Sequence, residues 1–361
     1  MRIAIDASRC TAKRITGTEN YAIELIRALI RQNTQHRLTL YFRDTPSPDL
    51  FPASKHVEYK IIPFRRAWTH LRFTAALWHD RPDVTFVPAH TLPFVFPGRA
   101  VVTVHDLGFK YFPEAHPTGQ RLYLDWTTRY SVRRASIILA DSQATAHDLT
   151  QFYGTPNEKI RVVYPGVKKP IFNSAVNVRQ KYGLPERYFL FIGTLQPRKN
   201  IARIVQAYQQ LKIAYPTDPA GLVLAGGKGW LYDPTWIADV EGVYLPGYID
   251  DMDKGALYAN ALALVFPTLY EGFGFPVIEA MHSGTPVIAS NSSSLPELVG
   301  DAGLLVDPLN VTEITKAMGK ISDDENLAPI LRERGYAQAA QFTWEHAAQQ
   351  AMDAFEEAVS N

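Results

Sequence analysis

Residues 262–290 read LALVFPTLYEGFGFPVIEAMHSGTPVIAS. The apolar run 262–268 predicts a buried strand, because parallel strands covered on both faces are almost wholly apolar. Glycines then mark a turn, and Pro276 suits the first turn of a helix. A second apolar run, 286–290, follows that helix. A strand, a helix and another strand in this order predict a parallel sheet wrapped by helices.

The same alternation of apolar runs and helical patterns extends over the whole chain. In the first half, strand-like runs lie at 2–8, 37–42, 57–63, 84–87, 101–106 and 136–142. In the second half, they lie at 188–194, 221–227, 243–249, 262–268, 286–290 and 304–308. Amphipathic helices are predicted at 18–32, 142–154 and 343–359.

This pattern predicts an α/β protein with two doubly wound, Rossmann-like domains that face each other across a cleft. The length of 361 residues agrees, since it exceeds what one hydrophobic core usually carries. Pro and Gly cluster within 164–173, and we expect the boundary there, between a domain at 1–168 and a domain at 169–342.

The composition favours a cytoplasmic protein. Cys10 is the only cysteine, so the chain cannot form an internal disulfide, and a reducing compartment is expected. The N-terminal residues lack the apolar run of a signal peptide and instead predict a strand. No apolar run approaches the ~20 residues that a membrane-spanning helix needs.

The two halves of the chain differ in charge. Residues 1–170 contain 24 Lys and Arg against 14 Asp and Glu, whereas residues 171–361 contain 13 against 22. The basic half predicts an anionic partner, but attraction between two domains would explain the asymmetry equally well. The segment 64–73 mixes Arg65, Arg66 and Arg72 with Phe64, Trp68 and Phe73. It would suit either an anionic membrane surface or an amphipathic helix of the core.

Ligands of open parallel sheets bind beyond the carboxyl ends of the strands, and two basic or glycine-containing turns occupy such positions. Arg198 and Lys199 follow a buried strand and precede a helix with Asn200 as its expected N-cap, which predicts an anion site. A solvated basic turn is the alternative. Gly17 introduces the first helix, where its amide would approach a phosphate, although an ordinary turn would have the same sequence.

His105 ends an apolar strand and is followed by Asp106. At a strand end the imidazole would donate a hydrogen bond to a phosphate or a sugar hydroxyl. A structural histidine held by Asp106 is the alternative.

Two carboxylates bracket the glycine turn of 262–290. We expect Glu271 to project from the turn, and Glu279 to lie about one helical turn later, facing back toward it. Carboxylates are good acceptors for neighbouring hydroxyls, so one acid would hold a sugar and the other a ribose. The backbone amides at the helix start, those of Phe273, Gly274 and Phe275, would donate to the phosphates between them.

Asp251 and Asp253 form a D-x-D pattern that resembles a metal site, but we interpret the acids as the cap of a following helix. Asp251 is instead a candidate to accept hydrogen bonds from a guanine, with Ile249 and Lys254 as further candidates for contact with the base. No His/Cys cluster indicates a transition metal, so no metal or other cofactor is expected.

Three motifs in this order and spacing, GTLQPRKN, YEGFGFPVIEAMHSGTPVIAS and SSLPELVGDAGLLVDP, resemble the C-terminal half of glycosyltransferase family 4, which has the GT-B fold. TGTENYAIELIRAL, VHDLGFKYFP and ADSQATAHDL resemble its N-terminal domain, and YPGV its domain junction. The resemblance covers essentially the whole chain. It implies that the last helix, within 343–361, crosses back onto the N-terminal, acceptor-binding domain, while 169–342 binds the nucleotide sugar.

The resemblance also implies a retaining, metal-independent transfer of a sugar from a nucleotide diphosphate donor. Arg198 and Lys199 would neutralise the leaving diphosphate, helped by the amide of Gly17. Glu271 would hold the sugar, Glu279 the ribose, and His105 would lie close to the anomeric carbon. Many members have a longer glycine run in the first loop, where this chain has only Gly17.

The closest resemblance is to bacterial mannosyltransferases of surface polysaccharide synthesis, which implies GDP-mannose as donor and a glycan or lipid-linked glycan as acceptor, with peripheral contact to the inner face of the plasma membrane. UDP-glucose and UDP-N-acetylglucosamine are alternative donors. A nucleotide-sugar epimerase, a glycan phosphorylase and a non-enzymatic subunit are alternative functions. No nucleic-acid partner is expected.

Overall fold

The computed structural model describes residues 1–12, 15–64, 67–115, 117–172, 176–238 and 240–360. The chain forms two compact units. The first consists of Met1–Gly166 together with Thr343–Asn361, and the second of Val167–Phe342.

The described part of the first unit contains one parallel sheet of seven strands. They are β1 (Arg2–Asp6), β2 (Arg37–Phe42), β3 (Val57–Ile61), β4 (Val84–Val87), β5 (Arg99–Val104), β6 (Ile137–Ala140) and β7 (Ile160–Val162). Their order in the sheet is β3-β2-β1-β4-β5-β6-β7. The helices between them are α1 (Gly17–Gln32), α2 (Thr74–Asp80), α3 (Gly108–Tyr111), α4 (Thr118–Arg134) and α5 (Gln143–Tyr153).

The described part of the second unit contains a parallel sheet of six strands. They are β8 (Tyr188–Ile192), β9 (Gly221–Ala225), β10 (Val243–Gly247), β11 (Ala263–Phe266), β12 (Val287–Ser290) and β13 (Leu304–Val306), in the order β10-β9-β8-β11-β12-β13. Its helices are α6 (Val178–Tyr182), α7 (Ile201–Ala214), α8 (Lys254–Ala259), α9 (Phe275–His282), α10 (Leu295–Val299), α11 (Val311–Asp323) and α12 (Leu327–Ala339).

Each sheet has one point at which the strand order reverses. In the first unit it lies between β1 and β4, and in the second between β8 and β11. The loops that leave the two central strands there run to opposite sides, which opens a crevice at the carboxyl edge where ligands of doubly wound sheets bind. The predicted α/β class and parallel sheets are therefore confirmed, and the reversal points indicate where to look for a site.

The last helix, α13 (Trp344–Ser360), packs against the sheet of the first unit. Its buried face consists mainly of small residues, with an aromatic residue near each end: Trp344, Ala347, Ala348, Ala351, Ala354, Phe355 and Ala358. The Trp344 ring lies 5.8 Å from that of Tyr21 on α1, and the Phe355 ring lies 4.9 Å from that of Phe86 on β4. This agrees with the expectation that the last helix belongs with the N-terminal domain. Among the described residues, no helix is both long and apolar enough to cross a bilayer.

Asn200 ties together three loops at the carboxyl edge of the second sheet. It occupies the predicted N-cap position of α7, but in the left-handed region at φ 63°, and its side chain does not cap the helix. Instead, Nδ2 donates to the carbonyl of Pro267 after β11, at 2.9 Å, and to that of Pro308 after β13, at 2.7 Å. One buried amide thus fixes the ends of β11 and β13 against the turn that follows β8.

We predict that Asn200→Ala lowers the free energy of unfolding by about 2–5 kcal/mol, because two buried carbonyls lose their donor. Asn200→Gly should be less harmful by about 1 kcal/mol, since glycine adopts a positive φ without strain. Denaturant unfolding of the full chain measures both changes. Asn260→Ala is the matched control, because Asn260 is exposed and its side-chain amide donates to the Ala256 carbonyl of the same helical segment at 2.7 Å. An Asn200→Ala variant as stable as the control would contradict this role.

Candidate active site

The turn after β8 and the loop after β11 meet through a buried ion pair. Lys199 Nζ lies 2.5 Å from Glu271 Oε1, and the two side chains are only 12% and 9% exposed. Lys199 ends the 3-10 turn Pro197–Lys199, and Glu271 opens the glycine turn. The side chains meet because β8 and β11 are neighbours at the reversal point.

Arg198 belongs to the same cluster. Its backbone carbonyl accepts a hydrogen bond from Leu269 N–H at 2.9 Å, so the basic turn is fastened to the strand exit that leads to Glu271. The Lys199 ammonium also lies 5.2 Å from the centre of the Phe266 ring. The expectation that Glu271 projects from its turn is wrong in detail, because the carboxylate is buried against Lys199. The alternative of a solvated basic turn is also wrong for Lys199.

Two serines after β12 hold the glycine turn in shape. Glu271 N–H donates to Ser293 Oγ at 3.0 Å, and the Ser294 hydroxyl donates to the carbonyls of Glu271, at 3.0 Å, and Phe273. Gly274 has φ 124°, and a Cβ there would lie 2.6 Å from Leu295 Cδ2. Both backbone conformation and packing therefore require glycine at this position. Sequence analysis missed the serines as site residues, although the run of three serines after a strand was a visible signal.

Helix α9 starts as predicted, with Gly274 at the N-cap and Pro276 in the first turn. The buried ring of Phe273 packs against that of Phe275 at 5.1 Å. Glu279 follows one turn later, and its Oε2 accepts a hydrogen bond from the buried Tyr258 hydroxyl at 2.8 Å. One carboxylate oxygen of Glu279 is thus fixed from within the protein.

The D-x-D pattern does not form a paired acidic site. Asp253 is buried and accepts hydrogen bonds from Lys181 Nζ at 2.6 Å and Tyr182 Oη at 2.7 Å. Asp251 is exposed, and its Oδ1 lies 2.6 Å from Lys254 Nζ.

Lys254 interacts both with Asp251, the candidate contact to the nucleobase, and with Glu279, the candidate contact to the ribose. Burial opposes its charge, but the carboxylates of Glu279 and Asp251 outweigh that effect and raise the pKa of Lys254. The lysine therefore stays charged near Glu279. Ile249, the remaining candidate for contact with the base, is buried. Among the described residues, no three His, Cys, Asp or Glu side chains are grouped so that they could hold a metal ion.

In the first unit, His105 lies at the end of β5 and its ring faces two acceptors. Nδ1 lies 2.7 Å from Asp141 Oδ2, at the end of β6, and Nε2 lies 3.3 Å from the carbonyl of Pro88, after β4. A ring with an acceptor at each nitrogen is best satisfied when both nitrogens carry protons. Asp106, the partner that the alternative of a structural histidine required, accepts a hydrogen bond from Gly108 N–H at 2.8 Å.

His90 complements this arrangement as a neutral histidine. Its Nε2 accepts a hydrogen bond from the backbone N–H of His105 at 3.1 Å, which requires that nitrogen to be unprotonated. Burial, together with the charge of His105, lowers the pKa of His90 to about 3. Burial also works against the charge of His105, but Asp141 outweighs it and raises the pKa of His105. The surroundings of the two histidines therefore move their pKa values in opposite directions.

The segment after β6 anchors His105 a second time. Ser142 caps α5, whose helix was predicted from residue 142, by accepting from Thr145 N–H at 3.1 Å. The Thr145 hydroxyl then donates to the carbonyl of His105 at 3.2 Å. Within the motif ADSQAT, Asp141 binds the His105 ring, Ser142 caps the helix, and Thr145 binds the His105 carbonyl. The motif is visible in the sequence, but nothing in it marks Asp141 or His90 as a partner of His105.

Gly17 is the first residue of α1, and a Cβ there would meet no atom within 4 Å. The protein therefore does not require glycine for packing at this position. One turn later, the Tyr21 ring packs edge-on against the His105 ring, with the centroids 4.7 Å apart. The start of α1 and His105 thus share one edge of the first sheet, whereas Arg198, Lys199, Glu271 and Glu279 belong to the second unit.

Comparison with known proteins gives family matches for both units. Residues 15–169 match the family model described as Glycosyltransferase Family 4, and residues 177–338 match that of Glycosyl transferases group 1. The chain is 33% identical to O-antigen chain mannosyltransferase B of Escherichia coli, over 94% of this chain and 96% of the relative. It is 29% identical to the serotype-specific mannosyltransferase WbdA of Escherichia coli over 77% of this chain, which corresponds to 35% of that longer protein.

Solved structures of similar fold cover the whole chain. The sucrose-phosphate synthase of Thermosynechococcus elongatus has a TM-score of 0.74 at 23% identity and covers 99% of this chain and 98% of that one. Anabaena HepE in complex with UDP-glucose has a TM-score of 0.74 at 18% identity and covers 99% and 100%. These likenesses support the GT-B fold. The family matches, together with the O-antigen relative, favour glycosyl transfer over the epimerase, phosphorylase and non-enzymatic alternatives. The chain belongs to the group 1 glycosyltransferases of family 4 and is a glycosyl-transferring enzyme.

Proposed function

We propose that this enzyme transfers mannose from GDP-mannose to a glycan or lipid-linked glycan acceptor in the synthesis of a surface polysaccharide, with retention of the anomeric configuration and without a catalytic metal. The observation that carries this proposal is the Lys199–Glu271 ion pair at the reversal point of the second sheet, with Arg198 in the same basic turn. A paired cation and acid, with a second cation next to them in sequence, suit a ligand that joins a diphosphate to a polyhydroxylated ring.

Arg198 and Lys199 would stabilise the charge that develops on the diphosphate as the sugar leaves. Such preorganised stabilisation is usually the largest catalytic contribution, and it is strongest where water is excluded. The Lys199 side chain is almost buried and held by Glu271, so little reorganisation is needed when charge develops. Glu271, on the same ion pair, would accept hydrogen bonds from the sugar hydroxyls.

The proposed chemical step needs no protein nucleophile. The bond between the anomeric carbon and the diphosphate oxygen breaks, and its electron pair goes to the diphosphate. An acceptor hydroxyl forms the new bond on the same face of the sugar and passes its proton to the departing oxygen. Trapping a covalent sugar–protein adduct would overturn this route in favour of double displacement.

We propose that Gly17 and His105 of the first unit act on the same donor. His105 Nε2 is 3.3 Å from the Pro88 carbonyl oxygen, which is long for a hydrogen bond. An oxygen of the bound nucleotide sugar would therefore compete effectively for the proton on Nε2. A protonated His105 would also contribute positive charge near the leaving group. The amide of Gly17, at the start of α1, would donate to a phosphate oxygen.

The identity of the donor is supported by the names of the relatives, two of which are mannosyltransferases. Glu279, with one oxygen fixed by Tyr258, suits a ribose, and the exposed Asp251 suits the two donors of a guanine edge. UDP-glucose and UDP-N-acetylglucosamine are the alternative donors; HepE was solved with UDP-glucose. The O-antigen relative favours a surface glycan as acceptor, and we propose a cytoplasmic enzyme that works peripherally at the inner membrane face.

The proposal is tested with a panel of nucleotide sugars, scored by donor hydrolysis and by thermal shift. GDP-mannose at 100 times its dissociation constant should add about 2.7 kcal/mol of stability. Lys199→Ala should lower kcat by about 10²–10³, because an aimed donor to the leaving group is lost. Lys316→Ala is the matched control, since Lys316 is exposed on α11. A Lys199→Ala variant with wild-type kcat, or a chain that binds no nucleotide sugar, would refute the proposal.

Asp251 provides a separate test of the nucleobase. We predict that Asp251→Asn raises KM for GDP-mannose by about 10-fold or more, because a charged acceptor for guanine is worth about 1.5–3 kcal/mol. The kcat should change little, since the base does not react. Asp301→Asn is the control, because Asp301 is likewise an exposed acid paired with a cation, Arg334 at 3.4 Å. An unchanged KM would exclude Asp251 as the residue that recognises the base.

The His105–Asp141 pair predicts a change in pH dependence. Because Asp141 raises the pKa of His105, activity that needs the protonated ring should persist into neutral pH and fall as the pH rises through that raised value. Asp141→Asn should move this fall to lower pH by about 1–3, the usual effect of removing a neighbouring opposite charge.

The pH profile of kcat/KM and an NMR titration of His105 measure this change. Asp148→Asn is a suitable control, because Asp148 is a buried acid of α5 whose carboxylate accepts a hydrogen bond from the Tyr111 hydroxyl at 2.6 Å. An Asp141→Asn profile that coincides with the wild type, or that shifts to higher pH, would contradict the assignment.

A further inference from the structure

Helix α4 exposes three of its large apolar side chains to solvent, whereas the residues that it buries are mostly small. Leu122, Tyr123 and Trp126 are 60%, 49% and 54% exposed. The buried residues of the helix are Thr127, Thr128, Ser131 and Val132. A helix on the surface of a soluble protein normally has the reverse pattern, with its apolar stripe toward the core. We therefore expect the outer face of α4 to bind a partner surface.

The exposed residues of α4 continue into neighbouring segments of the first unit. Phe94 lies 5.1 Å from Trp126 and stacks on His70 with the ring centres 3.6 Å apart, while His70 Nε2 lies 3.4 Å from Tyr123 Oη. Leu71 and Val95, next along the chain, are 57% and 56% exposed. We call this surface the aromatic face and define it by Leu71, Phe94, Val95, Leu122, Tyr123 and Trp126.

The charges around the aromatic face are almost all positive. The segments that supply it, 67–73, 92–96 and 118–134, contain five arginines and one acid: Arg72, Arg121, Arg129, Arg133, Arg134 and Asp125. The carboxylate of Asp125 is bound by the Lys110 ammonium and by the Tyr153 hydroxyl, at 2.8 Å from the latter. Arg129 and Arg133 are each seven residues after an exposed apolar residue, Leu122 and Trp126, and so share their side of the helix.

We propose that the aromatic face docks on an anionic phospholipid bilayer. Tyr and Trp prefer the membrane–water interface, exposed Leu and Val insert into its apolar edge, and arginines attract acidic headgroups. A neutral glycan would instead need carboxylate or amide acceptors among the rings, and a second copy of the chain would bring arginines against arginines. The inference deepens the proposed function, because it names the surface by which an enzyme with a lipid-linked acceptor would reach it.

The sequence of the segment 64–73 suits either a membrane contact or an amphipathic helix of the core. Arg65 and Arg66 lie outside the described residues. Trp68 and Phe73 are buried and stack on each other at 5.1 Å, so for them the alternative of a core helix is correct. Phe64 and Arg72 are exposed, with the guanidinium 5.9 Å from the ring centre. The part of this segment that belongs to the aromatic face is therefore Leu71, with Arg72 beside it.

The test is flotation of the full chain with vesicles of phosphatidylcholine alone and of phosphatidylcholine mixed with phosphatidylglycerol. We expect binding to the mixed vesicles only. Leu122→Ser/Trp126→Ser should weaken it at least about tenfold, because two apolar side chains are lost from the bilayer edge. Arg72→Gln/Arg133→Gln should weaken it about 20-fold at low salt and less at high salt, at roughly fivefold for each arginine.

Ile213→Ser/Ile330→Ser is the matched control, because both isoleucines are exposed on helices of the second unit. Thermal unfolding checks that each variant is folded, as expected for changes at exposed positions. Binding that is unchanged in Leu122→Ser/Trp126→Ser, or equal on both kinds of vesicle, overturns the proposal. So does a concentration-dependent dimer that this variant abolishes, or protection of α4 from hydrogen exchange by soluble oligomannoside in place of vesicles.

Failure of this inference can be told apart from failure of the proposed function. Donor hydrolysis needs no membrane, so Leu122→Ser/Trp126→Ser should hydrolyse GDP-mannose at the wild-type rate in solution while losing flotation. An enzyme that floats with the mixed vesicles but binds no nucleotide sugar would refute the proposed function. The proposal that the aromatic face docks on a bilayer would still stand.

Discussion

The Lys199–Glu271 ion pair is the interaction around which the second unit is arranged. Removing two charges from water costs several kcal/mol per ion, and their attraction offsets this only when the geometry is good. Here the geometry is supplied from several directions: Asn200 joins three loops, two serines hold the glycine turn, and Gly274 admits the start of α9. A pair of this kind is weak evidence for stability. Its value lies in holding a cation and an acid at fixed positions, where the carboxyl ends of two central strands meet.

In the first unit, the carboxyl ends of the strands place two histidines with different charge preferences next to each other. His105 follows β5, and its partners follow the two adjacent strands. The Pro88 carbonyl and His90 come after β4, and Asp141 comes after β6. The result is one histidine that favours its charged form and one that is held neutral, within 5.6 Å of each other between ring centres. Burial alone would have discharged both rings, so the difference comes from which neighbour each ring faces.

Sequence pattern revealed the fold well because its signals are local. The apolar runs of buried parallel strands and the Ser142 cap of α5 were visible in a few residues each, and most strand limits differ by one or two positions at the carboxyl end. The short strand β7 was missed because Ile160–Val162 is too brief to show a period. Glu271 and Lys199 were found because each stands at a strand exit. Asp141 and His90 also follow strands, but neither lies in a glycine turn like Glu271 or beside a second cation like Lys199, and Tyr258 lies within α8. Their partners, 36, 15 and 21 residues away, meet them only in the folded structure. Helix α4 escaped notice for a related reason: its apolar residues face outward and do not mark a core.

The placement of α13 has a consequence for biosynthesis. The second unit is one continuous stretch of chain, whereas the first is built from both ends of it. Gly166 lies so close to Trp344 that a Cβ would fall 2.2 Å from the Trp344 backbone nitrogen, and the ring of that tryptophan rests on Tyr21, which in turn packs on His105. Domains usually fold in the order in which the ribosome delivers them. In this protein the first unit begins to be synthesised before the second and is completed after it. Its apolar flank between α1 and β4 stays uncovered until α13 has been synthesised, so a chain terminated before Trp344 would carry an intact second unit and a first unit that lacks this helix.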